Sequence, residues 1–183
     1  GAFPHFSRRQ STQAPTPPID PLREWRVMSL KTRFGNLGNV YDEDPSQTRI
    51  LQLETPVVTT RELNGIVEYF GADIRTIDCT FPPDGSPRDA LERIRQEAED
   101  AVRGGCRDLL LTDEGVGPDH APMPMILAAG AVHSHLVRHG LRSFSSNTVR
   151  SGECLDVHYV AVLIGVGTTA VNAYLAEAAI ADR

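Results

Sequence analysis

The chain has 183 residues, 40% of them hydrophobic, and carries a formal net charge of −6 with a pI near 5.5. That length and apolar content suit one compact domain with a real core, while the acidic balance argues against a nucleic-acid or anionic-membrane surface, since both need a basic patch. The longest apolar runs, at 123–132 and 160–166, fall short of the ~20 residues of a spanning helix.

No charged-then-apolar leader opens the chain, which begins at Gly1, so excision from a longer polypeptide and a cytoplasmic setting are expected. Cys79, Cys106 and Cys154 are odd in number and widely spaced, with no CxxC pair; they read as core thiols of a reducing compartment rather than as a disulfide framework.

In chain order, residues 1–56 form an irregular N-terminal arm or linker, proline-rich at its start and loop-like through "TRFGNLGNVYDEDPSQ". Asp20-Pro21 reads as an N-cap followed by proline in the first helical turn, so "PLREWRVMSLK" is expected to be a short helix. "RILQLET" alternates like a strand, ended by Pro56.

The pattern becomes regular in the core, 57–183. Thr59 and Glu62 form a capping box ahead of an apolar stripe at Leu63, Ile66, Val67 and Phe70, and Gly71 ends that helix. "DIRTIDCTF" follows as a strand, and Ser86-Pro87 opens a helix with Leu91, Ile94, Ala98 and Val102 on one face, stopped by Gly104-Gly105. "CRDLLLTD", "LRSFSSNTV" and "TAVNAY" are three further strands. They alternate with helices over "PMPMILAAGAVHSHLVRHG", "ECLDVHYVAVLIG" (closed by Gly165) and "LAEAAIADR". Four βα units of 25–35 residues predict an α/β fold with a parallel sheet, either a TIM-barrel-like half-barrel or a small open sheet.

Asp78, Asp113, Asn147 and Asn172 are placed by this reading near the C-terminal ends of the four strands, where barrel enzymes gather their functional groups. The competing role is capping helices and binding loop amides, which the absence of a companion base, nucleophile or anion loop favours. "GVGTT" at 165–169 follows a helix and precedes a strand, the reverse of a phosphate loop. Asp42, Glu43 and Asp44 read as a solvated turn, lacking the regularly spaced oxygen donors of a metal loop.

Three histidines crowd "AVHSHLVRHG". At 100° per residue, Ile126, Ala129, Val132, Leu136 and Val137 define the core face; His133 falls within it, while His135 and His139 lie together on the opposite side. His135 and His139 could share an ion, but the nearby sequence supplies no third ligand, and a stable zinc site needs three or four; no metal is expected. His133 is expected to be buried and hydrogen-bonded, to pin its helix to the sheet, and to be much more buried than His139.

"PPIDPLRE", "LETPVVTTREL", "IDCTFP", "ALERIRQEAEDAVRGG", "APMPMILAAGAVHSHLVRHGLRS", "SGECLDVHY" and "VNAYLAE", in that order, resemble the central domain of the glutamate synthase large subunit. The resemblance runs from about Pro17 to the C-terminus. It implies a barrel-like α/β domain in glutamate biosynthesis that joins a glutaminase domain to an FMN-binding synthase domain and helps wall the ammonia tunnel between them.

FMN and an iron–sulfur cluster are then expected in other domains, and no cofactor or catalytic residue in this fragment. The segment before "PPIDPLRE" implies a tunnel or interdomain position for Thr16, Pro17 and Pro18. The expected partners are the two flanking domains, with neither nucleic acid nor membrane; self-association of the isolated piece is a further option. Two rivals stand beside this reading: an independent TIM-barrel-type enzyme holding a small phosphorylated or flavin ligand at Asp78, Asp113, Asn147 and Asn172, and a metal module built on His135 and His139.

Overall fold

The computed structural model describes residues 29–35 and 50–182. The helix expected from Pro21, the segment Thr16, Pro17 and Pro18, and the carboxylates Asp42, Glu43 and Asp44 lie outside the described residues. The main compact unit begins at Thr32. Its first elements, β1 (Thr32–Phe34) and β2 (Leu51–Leu53), pair antiparallel.

Helix α1 (Thr60–Phe70) starts where its sequence says it should. The Thr59 hydroxyl accepts from the Glu62 amide while the Glu62 carboxylate accepts from the Thr59 amide, and Gly71 closes the helix at φ +53°. The βα series then runs β3 (Ile74–Asp78), α2 (Pro87–Arg103), β5 (Asp108–Thr112), α3 (Met125–Arg138), β7 (Ser146–Arg150), α4 (Val157–Gly165), β8 (Ala170–Asn172) and α5 (Tyr174–Ala181). Between them, β4 (Thr80–Phe81) and β6 (Ala121–Pro122) make a small antiparallel ribbon. The main sheet has the order β3-β5-β7-β8, and every pairing in it is parallel.

Strand alternation sorts the sheet into two faces. Ile77, Leu109, Leu111, Val149 and Val171 share one core with Ile94 and Ala98 of α2, Val132 and Leu136 of α3, and Leu163 of α4. Leu110 and Ala170 point the other way, into a second core with Phe34 of β1 and Leu63, Ile66 and Phe70 of α1. With α2, α3 and α4 sharing one core and each strand stepping to its neighbour, the sheet is singly wound, as in a barrel sector, rather than doubly wound around a switch point. All five residues of β5 are buried, which is why "DLLLT" is an unbroken run between two polar ends.

Four strands leave two edges. Beside β8, the Val58 amide donates to Val171 O at 2.9 Å and the Val171 amide to Pro56 O at 2.8 Å, so residues 56–58 cover that edge with a single parallel bridge.

Several local expectations are corrected. "DIRTIDCTF" breaks at Cys79, whose amide bonds Thr112 O while its carbonyl accepts from Met123; the chain thereby swings from the main sheet into the ribbon. β7 starts later than expected because Arg142–Phe144 forms a 3₁₀ turn. Val137 is exposed, not core. The buried face of α3 instead spans Ala128, Ala129, Ala131, Val132 and Leu136, because the helix packs against α2 on one flank and α4 on the other. Gly165 is the last residue of α4 rather than its cap; Val166 caps it, and Gly167 takes the positive φ of +106°.

Candidate functional site

Three of the four strand-end candidates do stand at the C-terminal ends. Asp78 is the last residue of β3, Asn172 the last of β8, and Asp113 follows β5 directly. Asn147 does not: it is the second residue of β7 and pairs with Leu109 near the opposite end of the sheet, a consequence of the 3₁₀ turn that delays that strand. The row that crosses the C-terminal end is Asp78, Thr112, Arg150 and Asn172. Asp78 and Asn172 occupy its two extremes, three interstrand spacings or about 14 Å apart, too far to grip one small ligand together. Asp78 lines a cleft of about 380 Å³ with Thr80, Ser86 and Arg93, and none of the other three candidates reaches it.

The fold engages the carboxylates of Asp78 and Asp113 and the amide nitrogen of Asn172, while Asn172 Oδ1 has no hydrogen-bond partner among the described residues. Asp78 accepts from the Thr80 amide at 2.9 Å and its hydroxyl at 3.1 Å, an Asx-type turn that steers the chain into β4. Asp113 is buried and accepts from the Ser151 hydroxyl at 2.8 Å and from the Gly152 amide at 3.0 Å, tying the loop after β7 to β5. Gly152 has no room for a side chain, since a Cβ would meet Leu175 Cδ1 at 2.8 Å and Tyr174 Oη at 2.9 Å. Burial and the neighbouring Asp113 push the Tyr174 phenol up to about 12.

The Asn172 amide group donates to Val58 O at 3.0 Å and leans toward Thr60 and Glu177. Glu177 of α5 in turn accepts from the Thr60 amide at 2.8 Å and hydroxyl at 2.7 Å, capping the first turn of α1. Those hydrogen bonds hold its carboxyl below the usual range. Arg150 pairs with Glu114 at 2.9 Å and stacks over Tyr174 with its guanidinium carbon 5.7 Å from the ring centroid. Glu153 accepts from the Met125 amide at 3.0 Å and the Tyr159 hydroxyl at 2.6 Å, supplying the cap that Pro124 cannot give α3.

Sequence reasoning missed Arg150, Glu153 and Glu177. Each acts across elements, and no local spacing announces a cap supplied from another helix or loop. The arrangement is a set of mutual caps, and chemically it rigidifies loops.

The three histidines take two different environments. His133 is half-buried, its ring lies against Gly167, and its Nδ1 accepts from Arg142 Nε at 3.0 Å. Arg142 also donates to Ser145 O at 2.6 Å and Gly167 O at 2.7 Å, so one guanidinium joins α3, β7 and the α4–β8 turn. Burial, with Arg142 beside it, holds the His133 imidazole below its ordinary value. His133 is more buried than His139, but it is half-buried rather than buried in the core as expected. His135 is not outward-facing: its Nε2 lies 2.6 Å from Glu99 Oε2 on α2. The tertiary fold therefore supplies, from 36 residues upstream, the third metal-type ligand that the nearby sequence lacks.

Cys79 and Cys154 are buried, and burial raises their thiols to about 12 and about 11. Among the described residues, the His, Cys, Asp and Glu side chains close enough together to hold one metal ion include none of the three cysteines. Among the described residues, no helix is long and apolar enough to cross a membrane.

Comparison with known proteins draws these features together. Residues 2–183 match the family model described as the glutamate synthase central domain. The chain is 62% identical over 182 residues to the glutamate synthase [NADPH] large chain of Azospirillum brasilense, covering 98% of this chain but 12% of that protein. It is 37% identical to the glutamate synthase [NADH] of Schizosaccharomyces pombe, covering 96% of this chain and 9% of the relative. It is 36% identical to the ferredoxin-dependent glutamate synthase of Pyropia yezoensis, covering 93% and 11%. The chain thus spans about a tenth of the length of these relatives.

Proposed function

Because the chain belongs to the glutamate synthase central domain family, we propose that it acts as the connecting scaffold of a large subunit. It holds a glutaminase domain against an FMN-binding synthase domain and walls the path that ammonia takes between them. The observation that carries this reading is the match over residues 2–183, joined to carboxylates near the strand ends, Asp78, Asp113 and Glu177, that are occupied by loop and helix-start hydrogen bonds. Such a domain contributes rigidity and exclusion of water rather than bond-making groups; FMN and the iron–sulfur cluster belong to other domains. Relatives named for NADPH, NADH and ferredoxin share this domain, so the choice of electron donor is made elsewhere in the enzyme.

An apolar groove of about 370 Å³ supports a docking role. Val57, Val58, Leu155, Val157, Val160, Ala176 and Ile180 contribute to it, and Leu155, Val157 and Ile180 are strongly exposed. Charged substitutions there, V157E and I180E, are expected to uncouple the parent enzyme. Glutamine hydrolysis would outrun 2-oxoglutarate conversion, ammonia would appear in the medium, and synthesis from added ammonium would persist. Tight coupling in both variants would count against the scaffold reading, and glutamate formation from glutamine by the isolated chain would overturn it.

A further inference from the structure

We propose that Glu99, His135 and His139 form a zinc site that staples α2 to α3. The two histidines sit one helical turn apart on α3, and Glu99 faces them from α2; their ligand atoms all lie within 4.8 Å of one another. Glu99 Oε2 is 2.6 Å from His135 Nε2 and 3.9 Å from His139 Nε2. Ligand atoms in a tetrahedral zinc site stand about 3.3 Å apart, given metal–ligand bonds of about 2.0–2.1 Å. The two distances straddle that value, so small side-chain rotations seat an ion in place of the proton shared by Glu99 and His135.

The groups around the three ligands prepare them for this. His139 Nδ1 lies 2.8 Å from the His135 carbonyl, and donation there leaves the Nε2 lone pair directed at the cluster. Glu99 Oε1 is held by Arg103 at 2.7 Å, which orients the carboxylate and leaves Oε2 for the ion. Exposure follows the same logic. The Glu99 and His135 side chains are 13% and 14% exposed, fixed between the helices, while His139 at 41% leaves an entry path and an open fourth position. Two nitrogens and one carboxylate oxygen form a donor set that suits zinc, and this cluster takes no part in the strand-end caps.

The test is calorimetric titration of the metal-free chain with Zn²⁺, alongside Co²⁺ absorption spectroscopy. One equivalent is expected to bind, with visible bands of a tetrahedral or five-coordinate cobalt centre. E99Q, H135A and H139A should each weaken binding by at least about tenfold, a loss already typical of removing groups that merely orient a ligand. H158A, at an exposed histidine of α4, should bind as the parent does. On the unaltered chain, Zn²⁺ should protect His135 and His139 from diethylpyrocarbonate while His158 stays reactive, a readout that does not depend on any variant folding. Equal affinity in the three variants and the parent, octahedral cobalt spectra, or no protection of the histidine pair would overturn the proposal.

Discussion

Asp108, first residue of β5, is fully buried, and among the described residues the Thr148 hydroxyl donates to its two oxygens at 3.0 Å. Burial pushes its carboxyl up to about 7, against the opposing pull of Thr148 and Arg142. A group that holds its proton more tightly when folded stabilises the fold below its unfolded value near 3.8, and that contribution is lost as pH rises through about 7. D108N should flatten this segment: urea unfolding of the parent should weaken between pH 4 and 7 by on the order of a few kcal/mol more than the variant does. Parallel pH curves for the two would refute the assignment. Two asparagines offer a contrast. Asn172 donates to the Val58 carbonyl beside the sheet edge through its amide nitrogen, whereas among the described residues both carboxamide atoms of the equally buried Asn147 lack a hydrogen-bond partner. N172L should cost about 1–3 kcal/mol in chemical denaturation, while N147L should be neutral or stabilising. Equal losses at both positions would contradict this account.

Helix starts and stops were legible because their signals are local. The Thr59–Glu62 box and Ser86-Pro87 appear where expected, and T59A should lower stability by about 1 kcal/mol through the loss of the hydroxyl's bonds to Glu62, while the residue-59 amide can still donate to the Glu62 carboxylate. The α4–β8 turn shows why other boundaries were not legible. "GVG" offers two glycines, and nothing within it says which one must bend. Gly167 does, and no side chain fits there because a Cβ would run into the His133 ring, a contact made only once α3 and α4 pack side by side. G167A should therefore cost more than about 2 kcal/mol, combining backbone strain with the clash. Thermal unfolding should find that cost smaller in an H133A background, since only the steric part is relieved; an unchanged cost would place the whole effect in the backbone. β7 carries the same lesson: Arg142 is pulled onto His133, Ser145 and Gly167, which turns residues 142–144 out of the strand and moves Asn147 away from the end where the spacing had put it.

At the scale of the whole molecule, Leu155, Val157 and Ile180 form exposed apolar surface beside β8, where a scaffold would meet a neighbour. The isolated chain should show concentration-dependent association in sedimentation experiments, and V157E should reduce it while shifting unfolding by no more than about 0.5 kcal/mol, because this side chain is 85% exposed. Association unaffected by V157E would move the contact to another face. The sequence by itself determined the class of the fold: its apolar periodicity alternates between the two values that specify strand and helix, and this fixes a parallel α/β sheet and the faces that must be buried. The ordered family stretches likewise placed the chain in its protein family. Tertiary structure alone decided the rest, which carboxylates cap which helices, which glycine bends and that Glu99 meets His135. Those contacts join residues 28 to 117 positions apart, and the chain's local pattern holds no record of separations that only packing brings together.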